Sequence, residues 1–111
     1  MQKTGTGLRY NISGAGSGKN PELGSVVKVK LNLHLIDGTA CYESMHGKVQ
    51  EFALGKGELP NGLEEGITLM KAGQKATFIL PSHLGFGLSG DGNEIPPRAV
   101  LIYETELIEL K

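Results

Sequence analysis

The chain has 111 residues, enough for one domain with a real core and too few for two, so residues 1–111 are expected to form a single domain. Eleven basic residues against twelve acidic ones leave a net charge of −1 with no run of either sign, so electrostatic capture of nucleic acid or of an anionic membrane finds no support. Cys41 stands alone, which rules out an intrachain disulfide and a zinc site built around it, and no window approaches the roughly 20 apolar residues of a membrane span.

Taken in order, Leu8–Ile12 is a short strand candidate, and Ser13–Asn20 is a glycine-rich turn. The turn departs from a phosphate-binding loop at both ends: Ser13 holds the place of the first glycine, and Asn20 follows Lys19 where a hydroxyl residue is needed. A loop needing positive φ is the better account. Val26–Ile36 is the clearest strand, with Val27, Val29, Leu31, Leu33 and Leu35 on one face and Lys28, Lys30, Asn32 and His34 on the other. Asp37-Gly38 turns the chain. Cys41 is expected to be small and half-buried. His34, His46 and His83 have no carboxylate or cysteine at ligand spacing and are expected to be solvated. A further short strand lies within Gly47–Leu54 and contains Phe52.

Gly57–Met70 is the one stretch that reads as a helix. Asn61 is placed to cap it, Glu64 follows three residues later to complete a capping box, and Pro60 precedes the cap. Leu63, Ile67 and Met70 recur at helical spacing, and Gly66 lets that face approach its neighbour closely. Glu64 and Glu65 diverge by about 100° and read as a solvated face, not as an acid–base dyad. Lys71-Ala72-Gly73 ends the helix, Lys75–Leu80 is a strand, and Pro81–Arg98 is a long loop whose glycines and prolines oppose regular structure. Phe86 and Ile95 are the apolar residues of that loop expected to tuck inward. Ala99–Leu110 is the last strand. A short helix is marginal alone, so the pattern implies an α+β fold in which a sheet closes over one helix.

No nucleophile elbow, HExxH or paired-cysteine motif occurs, so an enzyme of this sequence is expected to work without a covalent intermediate, metal or cofactor. Several stretches, in order, resemble the FK506-binding-protein family of peptidyl-prolyl isomerases. They run from Gly16-Ser17-Gly18 with Pro21 and Gly24, through Val27-Lys28-Val29, Asp37-Gly38 and Tyr42-Glu43-Ser44, to Phe52-Ala53-Leu54-Gly55. They continue with Gly62-Leu63-Glu64-Glu65-Gly66, Met70, Gly73-Gln74, Pro81, Gly85-Phe86-Gly87, Ile95-Pro96-Pro97 and Glu106-Leu107. The lead-in Thr4–Ile12 is similar to the one preceding this domain in bacterial envelope members and favours an exported protein over a cytoplasmic one.

The resemblance implies a twisted antiparallel sheet of about five strands wrapped around one short helix, with a pocket between them for a proline ring. It makes Leu63 the pocket floor, with Leu31, Tyr42, Ile95 and Tyr103 as walls. It puts Glu43 near the substrate amide, makes Leu59 and Pro60 the lip, and gives Phe86 as the flap aromatic. It implies proline-containing polypeptides as clients, weak binding of macrolide-type ligands and a monomer. The chain departs from the family pattern at three of these positions. Leu63 replaces a tryptophan, Phe86 replaces a tyrosine and so lacks its hydroxyl, and Pro60 has no N–H where a lip donor is usual. Two readings therefore stand: a prolyl isomerase of reduced activity, and a peptide-binding or chaperone module that keeps the cleft without the catalysis.

Overall fold

The computed structural model describes residues 1–111, the side chain of Ser44 excepted. Its strands are β1 (Gln2–Lys3), β2 (Arg9–Ser13), β3 (Val26–Leu35), β4 (Ala40–Cys41), β5 (Val49–Ala53), β6 (Lys75–Leu80) and β7 (Leu101–Leu110), with a single helix, α1 (Asn61–Ile67). All pairings are antiparallel, in the order β1-β2-β6-β7-β3-β4, with β5 also on β3. Five strands have five or more residues, matching the expected sheet, and β1 and β4 are two-residue additions too short to leave a periodic trace in the sequence.

The alternation read from Val26 to Ile36 sets the layers. Val27, Val29, Leu31 and Leu33 are buried, and the register aligns them with Leu110, Leu107, Thr105 and Tyr103 on β7, the last two of which face Ala76 and Phe78 on β6. One face of the sheet is thus continuous core, and α1 lies against it. Gly66 makes that possible, because a Cβ there would come within 2.6 Å of the Phe78 ring; Gly62 is held as tightly by Leu80 and Leu84. Leu63, Ile67 and Met70 have no solvent exposure, as their spacing implies.

The helix is shorter than the sequence suggests and is not capped as expected. Pro60 is the N-cap residue, no side chain caps the first turn, and Asn61 is already helical. Glu64 does not reach back to close a capping box. Its carboxylate accepts a 2.6 Å hydrogen bond from Gly55 N–H, outside the helix. Nor is it solvated: Glu64 is buried, whereas Glu65 accepts from the Thr6 hydroxyl nearer the surface. A carboxylate satisfied by a loop amide survives burial that would otherwise be costly.

β4 and β5 share one edge of β3, β5 along Val26–Lys30 and β4 at Leu33–His34. Between them the chain bulges through a 3-10 turn, Glu43–Met45. His46 plugs the resulting gap instead of facing water. Its Nε2 lies 3.1 Å from Leu33 N, whose N–H it accepts, and 3.0 Å from Cys41 O, while Asn32 Oδ1 accepts from Gly47 N–H. His83 Nε2 is 2.8 Å from Thr6 O. The loop after β6 also carries more order than its composition suggests, with a 3-10 turn at Ser82–Leu84.

Candidate functional site

The site begins at the helix start. Gly55 N–H held by Glu64 fixes the loop that delivers Leu59 and Pro60, and Pro60 O accepts from both Leu63 N–H and Glu64 N–H at 3.0 Å. Leu63 follows one turn later, beneath the surface, and Leu59 is buried beside it.

The walls come from the sheet and the long loop. Leu31 is opposite Thr105 and Leu33 is opposite Tyr103, so Leu31 and Tyr103 point to the same face from adjacent strands, one residue pair apart. Both belong to the cluster that includes Leu59, Leu63 and Ile95. Leu63 is fully buried, Leu31 1%, Ile95 2% and Tyr103 4% exposed, so the residues expected to form the floor and inner walls all lie within the core. Tyr42 and Phe86 are half-buried and pack against the same cluster, and Pro60 is half-buried at the lip.

One flank is polar and tied. Tyr42 sits in the left-handed region (φ 51°), with its N–H donated to Glu94 Oε1 at 3.0 Å and its hydroxyl donated to Asp91 Oδ2. Asp91 Oδ1 accepts from Asn93 N–H and Ile95 N–H, both at 2.9 Å, which folds the loop around Ile95. Burial pushes the Asp91 carboxyl up, but the bonds from Tyr42, Asn93 and Ile95 outweigh it and hold the group below the usual range. The bond to Asp91, reinforced by burial, raises Tyr42. Cys41 lies behind Tyr42, buried at 1%, more deeply than expected, and burial together with Glu94, Asp91 and Asp37 pushes its thiol up, away from reactivity. Glu43 opens the 3-10 turn and is exposed; the structure does not bring it into the apolar cluster.

A model of the family described as FKBP-type peptidyl-prolyl cis-trans isomerase matches residues 17–108. The chain belongs to that family. It is 33% identical over 110 residues to the probable FKBP-type peptidyl-prolyl cis-trans isomerase FkpA of Neisseria meningitidis, covering 99% of this chain and 40% of that protein. It is 36% identical over 106 residues to FK506-binding protein 1 of Dictyostelium discoideum, covering 95% of this chain and 99% of that protein. The crystal structure of FkpA from Escherichia coli superimposes with a TM-score of 0.90 at 31% identity, over 99% of this chain and 51% of that one. The chain thus spans 40% of the length of the Neisseria relative, while it matches the Dictyostelium protein almost end to end.

Sequence reasoning missed Asp91 and Glu94, which hold Tyr42, although Asp91-Gly92-Asn93 carries the signature of a side-chain-stabilised turn. It also missed Gln50, which shares the core-facing register of Phe52 and has an occluded Oε1 without a partner. Gln50 could not be found without knowing that β5 pairs with β3. A hollow of about 370 Å³ lies on the opposite face of the sheet, lined by Lys30, Asn32, Lys75, Thr77, Glu104 and Glu106, and its polar lining is unlike a site for a proline ring. Among the described residues, no helix is long and apolar enough to cross a membrane.

Proposed function

We propose that this FKBP-type chain catalyses cis-trans isomerisation of X-Pro bonds in polypeptide clients, with the proline ring received over Leu63 between Leu31, Ile95 and Tyr103, against Tyr42 and Phe86, at the Leu59–Pro60 lip. What supports the reading is the family match, together with Leu31, Leu59, Leu63, Ile95 and Tyr103 all belonging to the one buried core against which Tyr42 and Phe86 pack.

The chemistry follows from the amide. Resonance sets a rotation barrier of about 18–20 kcal/mol, and an X-Pro bond crosses it unaided in tens to hundreds of seconds. Twisting the bond removes the resonance and leaves a less polar amide. Apolar walls that fit the twisted form better than either planar isomer lower the barrier with no nucleophile, and each 1.4 kcal/mol of such preference is worth about tenfold in rate. Leu63 supplies an apolar floor without a flat aromatic face, so the turnover is expected to be modest. Glu43 acts only from the rim, because it is exposed.

The export that the Thr4–Ile12 lead-in favours is part of the same proposal, supported by likeness to the bacterial FkpA-type relatives over nearly the whole chain. Weak macrolide binding and a monomeric state stand beside it as expectations. The deciding experiment measures cis-trans exchange of a Leu-Pro peptide by NMR with and without protein. Faster exchange is expected. Peptide binding without acceleration would leave a binding module and remove the isomerase.

A further inference from the structure

Tyr103 is 4% exposed at the middle of β7, between Phe78 and Leu33. A phenol buried to this degree ordinarily finds a partner for its O–H. None of the hydrogen bonds formed among the described residues uses the Tyr103 hydroxyl. The occluded, partnerless side-chain atoms found among those residues are Gln50 Oε1 and Thr105 Oγ1, and the Tyr103 oxygen is not one of them. The titratable groups that bear on the ring are Cys41, Tyr42 and Asp91, and the first of them, on β4, has its Sγ 3.8 Å from Glu94 O in the long loop. Burial first, and then those three groups, push the hydroxyl upward from its ordinary pKa, so it stays a donor throughout the range in which the protein is folded.

A peptide entering this cleft gives up the water on its carbonyl groups and needs a donor in return. The lip residue Pro60 has no N–H, Phe86 has no polar atom, and the Tyr42 hydroxyl is already given to Asp91. The Tyr103 O–H is on the wall and uncommitted. We propose that it donates a hydrogen bond to a carbonyl oxygen of the bound X-Pro peptide, making Tyr103 a substrate-orienting residue as well as an apolar wall. This rests on the isomerase reading of the cleft.

Tyr103→Phe removes one oxygen and preserves the ring. In the Leu-Pro exchange assay kcat/KM should fall about 3- to 10-fold, the usual size of one neutral hydrogen bond, and the loss should fall mainly on KM because the carbonyl is present in planar and twisted amide alike. The thermal midpoint should hold or rise, since no internal bond is lost. Thr105→Val, which deletes a hydroxyl from the same face that cannot reach the cleft, should leave kcat/KM within about twofold. Unchanged kinetics in Tyr103→Phe would overturn the proposal while leaving the isomerase reading intact. So would a fall in its thermal midpoint, which would mean that the hydroxyl serves the fold. Absence of catalysis in the unmodified protein would overturn the isomerase reading and this proposal with it, and that outcome alone shows itself before any substitution is made.

Discussion

The two carboxylates that shape the cleft do so in opposite ways. Glu64 is buried and makes a single 2.6 Å bond to Gly55 N–H, fixing the loop that presents Leu59 and Pro60. Asp91 is only partly buried and gathers the Tyr42 hydroxyl and two loop amides, with Glu94 adding a bond from the exposed side. The floor is therefore set by packing and one buried carboxylate. The outer wall is set by hydrogen bonds that solvent can enter. A catalyst that must hold a twisted amide needs a stiff floor, and a client chain of variable sequence needs a wall that can yield.

The sharpest way to break the floor is Glu64→Ala. It removes a charge-assisted bond and leaves a small void under the helix start, so we expect a loss of about 2 to 3 kcal/mol in urea denaturation, with activity falling alongside. A loss below about 0.5 kcal/mol would show that the Gly55 loop is held by something else. Next in size, Gly66→Ala drives a methyl into the Phe78 ring, where the added Cβ would meet ring atoms at 2.6 to 2.8 Å. Overpacking of this kind costs about 1 to 3 kcal/mol, and the helix should shift away from β6. Stability equal to the unmodified protein, despite a better helix former, would mean that the ring moves aside freely.

That contrast also explains how far the sequence could be read. The floor was legible because its determinants are periodic: Leu63, Ile67 and Met70 at helical spacing, and Val27 to Leu33 at strand spacing, bury as their pattern requires. Gly66 was legible because a glycine inside an apolar stripe has few other reasons to be there. Glu64 departs from expectation because a Glu three residues after an Asn fits a capping box, and only the tertiary fold brings Gly55 within its reach. His46 was misread for the same reason, since the gap it fills exists only where β4 and β5 fail to meet along β3. The wall was the least legible part. Tyr42, Asp91 and Glu94 are some fifty residues apart in the chain and have no common period; loop closure alone brings them together.

The wall can be tested through its titration. The Asp91 carboxyl is depressed in the folded protein, so its contribution to stability is complete above the unfolded value near pH 4 and is lost as pH falls through the folded value below it. Asp91→Asn keeps the shape but exchanges charge-assisted bonds for neutral ones. We expect about 1 kcal/mol lower stability at pH 7 and a shallower decline as pH falls below about 4, seen by thermal melts across the acid range. Parallel acid profiles for the two proteins would mean that the loop is held without this charge. Because the floor does not depend on Asp91, near-neutral activity of Asp91→Asn should survive better than that of Glu64→Ala.

The smallest effect expected is a gain. Phe86 packs against the cluster but is half-buried, so a hydroxyl added by Phe86→Tyr can remain hydrated until a client displaces the water. Its bond to a client carbonyl would then be exchanged for one to water, and the net benefit is a fraction of what a sealed site provides. We expect kcat/KM for the Leu-Pro peptide to rise about two- to fourfold with an unchanged thermal midpoint. A tenfold rise would show that the wall closes dry over the bound proline, making the outer flank as rigid as the floor once occupied. No change, with the fold intact, would place the client's carbonyl groups away from Phe86 and leave orientation to the opposite wall, where Tyr103 stands.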